Sequence, residues 1–185
     1  MKKKIENLSK GQTIFNLKKK LKNFIFLNLL IIKVADWEKN KKKILDEIKK
    51  KFIFENYTEK LAIRSSSDRE DGKFESSAGK FLSFLNINTN NDREITSSIN
   101  KVIRSYKEKK TKRSTSEVII QEMIQKTLIS GVIFTHEINK GSPYYVINYD
   151  DVSGKTDTVT SGKGNYANKT LYVFREKISE LKSNR

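Results

Sequence analysis

The sequence predicts an α+β fold, mixed sheets with helices packed on them, and three observations carry that prediction. Short apolar runs of strand length recur along the chain, at residues 61–63, 81–87, 118–123, 131–135 and 144–149. Between them lie two segments whose apolar residues repeat every three or four positions, with Lys and other polar residues on the opposite side. Stretches rich in Ser, Gly, Asn and Asp separate these elements and read as turns.

Composition narrows the classes. With 185 residues the chain is long enough for one domain, or two small lobes, with a real core. Zero cysteines exclude disulfides and thiolate metal sites and fit a reducing, cytoplasmic setting. The net charge of +16 raises nucleic acid as a partner, but it is lopsided: residues 1–51 hold sixteen Lys against five Asp or Glu. That excess is lysine scattered over helical faces rather than Arg interleaved with aromatics, so a solvated basic face accounts for it and no specific nucleic acid is expected.

Taken in order, Ser9-Lys10-Gly11 opens a segment with Ile14, Leu17 and Leu21 at helical spacing, a helix of about three turns. A basic start and the mostly apolar run 24–32 invite comparison with a secretory signal. The run begins late, is followed by Lys33 and Asp36, and falls short of the roughly 20 residues that span a bilayer, so a buried strand within 24–34 is the better account and no membrane span is expected. Asp36 is the expected cap of a helix running to about Lys51, with Trp37, Ile44, Leu45, Ile48 and Phe52 on its inner side.

Leu61, Ala62 and Ile63 read as the end of a buried strand from whose edge Arg64 emerges. A polar loop follows, holding Ser65, Ser66, Ser67, Gly72, Ser76, Ser77 and Gly79. A fixed guanidinium grips phosphate in two-pronged fashion, hydroxyls add donors, and glycines let backbone approach a ligand closely. By composition alone the same loop reads as a solvated turn. Residues 81–87 form a strand, and Asp92 caps a helix striped by Ile95, Ile99, Val102, Ile103 and Tyr106. Residues 107–113 are a basic helix end or loop. Gln121 is a polar residue inside the apolar run 118–123, paired to backbone or held for a ligand. After the strand 131–135 comes the chain's one histidine, His136, read as loop polarity. Gly141-Ser142-Pro143 is a turn, 144–149 a strand, and Asp150-Asp151 a turn before it is a Mg²⁺ site. Residues 156–161 and 171–174 are expected to be further strands.

The order of these residues says more than any one of them. Arg64-Ser65-Ser66, then Glu70-Asp71, then Ser77-Ala78-Gly79 and Leu85-Asn86, resembles the N-terminal ATP-binding domain, of ATP-grasp type, of the phosphoenolpyruvate synthase and pyruvate phosphate dikinase family. Val118-Ile-Ile-Gln-Glu-Met-Ile124 and Ser130-Gly-Val-Ile-Phe-Thr135 resemble that family's next two blocks, in the right order. The resemblance implies an ATP-grasp-like domain over 1–175, with lobe 1 about 1–115 and lobe 2 about 116–175, incomplete at its C-terminus, and a charged tail at 176–185.

The resemblance also implies a set of ligands. Arg64 would be the catalytic cation on the phosphates, and Lys10, Arg64, Ser65, Gly79, Ser83, Gln121, Glu122 and Met123 would contact ATP, the last three seating the adenine. Mg²⁺ would come with the nucleotide, its protein ligands lying outside this chain. The implied chemistry is phosphoryl transfer from ATP to a histidine on another domain, and the expected partners are the phosphohistidine and acceptor domains of the same or a neighbouring polypeptide. His136 lacks the Thr-x-His context of that carrier. The phrases at 144–151 and 156–162 look like a glutamine-kinase-like branch tied to surface polysaccharide. A fragment of a larger phosphotransferase is therefore expected, with no complete catalytic cycle of its own. A basic nucleic-acid or anionic-surface binding module without catalysis is the competing class, and a degenerate nucleotide-binding relic a third.

Overall fold

A computed structural model of the chain describes residues 9–66, 82–108, 116–125, 127–161 and 169–177. The chain divides into two compact units, Met1–Met123 and Ile124–Arg185. The boundary falls later than the expected 115/116, because the strand after it belongs by its hydrogen bonds to the first sheet.

In the first unit, helix α1 (Lys10–Lys20) precedes strand β1 (Leu29–Lys33) and two short helices, α2 (Val34–Lys39) and α3 (Lys41–Lys49). Strands β2 (Lys60–Ser66) and β3 (Ser83–Asn88), helix α4 (Asp92–Glu108) and strand β4 (Glu117–Glu122) complete it. The strands form one antiparallel sheet in the order β1-β4-β2-β3. Its core lies on one face. Ile32, Leu61, Ile63, Val118 and Ile120 from the strands pack with Trp37, Ile44, Ile48, Phe52, Ile95, Ile99, Val102, Ile103 and Tyr106 from the helical side. The expected stripes of α3 and α4 are thus the buried ones, as their spacing requires.

Several boundaries differ from expectation for identifiable reasons. The first cap is not Asp36: α2 begins at Val34, and a break at Asn40, whose Oδ1 accepts from the Lys43 N–H at 3.0 Å, starts a separate α3. A π-type turn, Lys50–Phe54, then carries Phe52 into the core. Asp92 is likewise not the cap of α4, since the Glu94 N–H goes to Asn91 Oδ1 at 3.1 Å and Asp92 instead pairs with Lys49 at 2.7 Å. Within 24–34 only Leu29–Lys33 is strand, and Phe24 and Ile25 are exposed. The helix expected from Ile14, Leu17 and Leu21 is α1, and its apolar spacing does not translate into burial. Leu17 and Leu21 are exposed and Gly11 is the buried residue, so α1 is held by its N-terminal turn rather than by an apolar stripe.

In the second unit, β5 (Ser130–Phe134), β6 (Tyr144–Asp150) and β7 (Lys169–Phe174) form an antiparallel sheet in that order. Gly131 is obligatory there, because a Cβ would stand 2.4 Å from the carbonyl oxygen of Asn148. Residues 156–161 are not a strand: they include a helical turn, α5 (Thr158–Ser161). Asp150 explains this. Its carboxylate accepts from the N–H groups of Val152 and Ser153, each at 2.9 Å, from the Ser153 hydroxyl, and from the Thr158 hydroxyl at 2.6 Å. The chain is folded back around that side chain, and Asp150 is a turn centre, as the reading of Asp150-Asp151 as a turn expected. No described helix is long and apolar enough to cross a membrane.

Candidate functional site

Strand β2 does not end at Ile63. It runs on to Ser66, so Arg64 sits inside the sheet between β4 and β3 rather than at a strand end. Two polar residues extend it because their groups are satisfied. The Ser66 N–H donates to the Tyr106 hydroxyl at 2.8 Å, that hydroxyl donates to the Glu117 carbonyl at 2.5 Å, and the Ser66 Oγ accepts from the Gly11 N–H at 3.1 Å.

Alternation then sorts the candidates by face. Leu61, Ile63 and Ser65 point to the helical core. Arg64 points to the other side, where its row across the sheet is Ile31, Ile119, Arg64, Ser83. Arg64 is partly buried and Ser83 exposed. Their pairing depends on a bulge. Leu61 pairs with Ile87, but Ile63 pairs with Phe84 and Arg64 with Ser83, a one-residue shift accompanied by Asn86 at φ 61°. Without the bulge Phe84 would stand opposite Arg64. With it, Phe84 packs against the core and a hydroxyl faces the guanidinium.

Gln121 lies on this same face, two residues from Ile119 and opposite Ala62. Met123 continues the alternation, its N–H donating to the Lys60 carbonyl at 2.9 Å. The first turn of α1 lies on the same face at the opposite end. A Cβ on Gly11 would be 2.9 Å from Ile31 Cδ1 and 3.5 Å from Glu117 Oε2, so the glycine after Lys10 permits the close approach. One sheet face therefore carries, in order along the strands, the Lys10 turn, the Arg64 and Ser83 pair, Gln121 and Met123. From Glu117 to Gln121 this spans about 13 Å at the usual rise per residue.

Other candidates are not brought there. Ser65 is buried on the core face, and its hydroxyl is directed away from Arg64's side of the sheet. Glu122 also alternates to the core side, where its carboxylate accepts from Asn28 at 3.0 Å and Thr58 at 3.5 Å. The backbone donors expected to read an adenine edge are in use: the Glu122 N–H goes to the Asn28 carbonyl at 3.0 Å, and the Met123 N–H to Lys60. Gly79 lies outside the described residues, as do Ser67, Gly72, Ser76 and Ser77.

Elsewhere, His136 is exposed in the loop after β5, its Nε2 2.7 Å from Arg175 Nη1. A groove of about 480 Å³ runs along the outer side of α4, lined by Arg93, Ser97, Asn100, Lys101 and Arg104 among others. A second, of about 420 Å³, lies beside Tyr144 and Tyr172. Neither touches the residues gathered around Arg64. Among the described residues no group of three or more His, Cys, Asp or Glu is arranged to hold a metal ion. Sequence reasoning missed Glu117, a buried acid beside Ser66, and the bulge at Asn86, a residue quoted only as part of the motif. A Glu at the head of an apolar run was the available signal for the first.

The arrangement, a cation paired across strands with a hydroxyl on the sheet face opposite the helical core, with an amide farther along, suits an extended anionic ligand with a polar base. Comparison with known families agrees. The model of the pyruvate phosphate dikinase AMP/ATP-binding domain matches residues 2–182, and the chain belongs to that family. It is an ATP-binding domain of the pyruvate phosphate dikinase type. No curated protein matches it significantly.

Proposed function

We propose that ATP lies along the face of the first sheet that carries Arg64, with its phosphates at the Arg64 and Ser83 pair and its adenine toward Gln121 and Met123. The observation that supports this most is that two motifs, 64–86 and 118–124, bring Arg64, Ser83 and Gln121 to one face, with the Lys10 turn docked at the phosphate end.

In this reading Arg64 grips phosphate oxygens and Ser83 donates its hydroxyl beside it. Lys10 adds a second positive charge at the polyphosphate end. Catalysis by such a site is positioning and charge neutralisation rather than covalent chemistry. Mg²⁺ enters with the nucleotide, as part of the substrate. Because the N–H groups of Glu122 and Met123 are committed to the sheet, the Gln121 amide and backbone carbonyls read the adenine edge, and Met123 packs on the ring.

The β,γ-pyrophosphoryl group of ATP passes to a histidine nitrogen that another domain supplies: the new P–N bond forms as the α–β phosphoanhydride bond breaks, and AMP is the leaving group. His136, the one histidine here, is held against Arg175 and is not that acceptor. The surface-polysaccharide branch has no support beyond the phrases that raised it.

Titrating ATP and a random DNA duplex at near-physiological salt tests the reading. ATP binding that Arg64→Ala weakens at least tenfold supports it; the loss of one bidentate charge-assisted contact is of that order. Steeply salt-dependent duplex binding, indifferent to Arg64 and without ATP binding, would replace it with a basic anion-binding surface built on the N-terminal lysines.

A further inference from the structure

We infer that Glu117 is a positioning residue that sets Lys10 against the polyphosphate, an inference that rests on the ATP site proposed above. Glu117 is buried at the head of β4, on the Arg64 face, directly opposite Ser66. Both its oxygens are used on α1. Oε2 accepts from the Ser9 hydroxyl at 2.6 Å and Oε1 from the Gln12 side-chain amide at 3.4 Å.

Ser9 and Gln12 are also the two halves of the capping box of α1. The Ser9 Oγ accepts from the Gln12 N–H, and Gln12 Oε1 accepts from the Ser9 N–H, both at 3.2 Å. A capping box is ordinarily a local device that fixes a helix end to itself. Here a carboxylate from a strand 105 residues away binds both of its members and so fixes that helix end to the sheet.

Between the two clamped residues stand Lys10 and Gly11. The Gly11 N–H is tied to Ser66 Oγ, and Ser66 is two residues from Arg64 on the same face. The Lys10 backbone is therefore registered against the strand that bears Arg64, with clamps before and after it. The apolar residues of α1 are largely exposed, so its docking to the sheet rests on these polar ties at its first turn. A carboxylate suits the task, since it presents two acceptors to two donors at once. Removing it frees the turn that carries Lys10 while leaving the Arg64 and Ser83 pair, two strands' width of sheet, intact.

The test is the ratio of ATP to AMP affinity, measured by calorimetry on the whole chain. That ratio isolates the β- and γ-phosphates from the adenine and ribose. Lys10→Ala and Glu117→Ala are each expected to lower it about tenfold, the size of one charge-assisted contact, with AMP affinity changed less than about twofold. The double variant is expected to match Lys10→Ala alone, because Glu117 acts through Lys10. Glu117→Gln, whose amide can donate to Ser9 and whose oxygen can accept from Gln12, is expected to restore most of the ratio. Should Glu117→Ala fail to fold, Gln12→Ala breaks the clamp at an exposed residue and carries the same expectation.

Equal losses of ATP and AMP affinity in the clamp variants, or losses that add to that of Lys10→Ala, would overturn the inference and leave Glu117 as structural support. Either result leaves the ATP site itself standing if Arg64→Ala still weakens ATP binding at least tenfold. A wild-type chain that binds neither nucleotide overturns both.

Discussion

A single hydroxyl, that of Tyr106, closes the junction on which the candidate site is built. It accepts from the Ser66 N–H and donates to the Glu117 carbonyl, so it stitches β2 to β4 at the row where α1 docks. Tyr106→Phe leaves a buried N–H and a buried carbonyl without it and is expected to cost about 1–3 kcal/mol, read from urea unfolding. An unchanged midpoint would mean that water or a neighbour replaces the hydroxyl without penalty. In the second unit, Gly131→Ala forces a Cβ against the Asn148 carbonyl, which is backbone and cannot swing aside. A loss of about 1–3 kcal/mol, the usual cost of overpacking, is expected there. Asp150 adds a pH signature. The Ser153 hydroxyl, with the Ser153 N–H, the Thr158 hydroxyl and the Val152 N–H, holds its carboxyl well below the ordinary value of 3.8. The folded chain thus takes up that proton less readily than the unfolded one. Its contribution is complete above about pH 4 and is lost as pH falls below that. Amide protection factors in β6 and α5, taken against intrinsic rates at the same pH, should fall as pH drops well below 4 in the wild type, and Asp150→Asn should show that lower protection already at neutral pH.

At the scale of elements, periodicity was the most legible feature and termination the least. The stripes of α3 and α4 and the existence of β2 to β7 follow from the spacing of Ile, Val, Phe and Tyr. Polar strand residues did not announce themselves. Ser65 and Ser66 look like loop, and only the contacts to Tyr106 and Gly11 explain why the strand continues through them. The Thr-Val-Thr phrase at 158–160 has strand-like composition, yet Asp150, reaching across eight residues, turns it into helix. The caps were misread by one or more positions because Asn40 and Asn91, not Asp36 and Asp92, carry the accepting oxygens. The bulge at Asn86 was invisible, although it decides which residue faces Arg64. Asn tolerates its positive φ where a β-branched residue does not. Asn86→Val should cost about 1–3 kcal/mol and weaken ATP binding, as the register relaxes toward Phe84 opposite Arg64, whereas Asn86→Gly should leave binding near wild type. Equal ATP affinity in both variants would show that the register of β3 is irrelevant to the site.

At the scale of the molecule, the family and the α+β architecture were legible because three motifs occurred in order, and order across more than fifty residues is hard to produce by composition. Which face each motif residue takes was not legible, since it depends on strand pairing, and that is where Ser65 and Glu122 part from Arg64 and Gln121. The high positive charge proved a poor guide to function. Most of it lies in the lysine-rich first 51 residues, of which the proposed site takes Lys10 alone, beside Arg64, Ser83 and Gln121 that the sheet brings to one face. The claim that all this supports is that the Arg64 face of the first sheet holds ATP. Calorimetric titration of ATP into the wild-type chain and into Arg64→Ala tests it most directly. Saturable one-site binding that falls at least tenfold in the variant, with the thermal midpoint of the unliganded chain unchanged, is the predicted result; equal ATP affinity in the two proteins would contradict it.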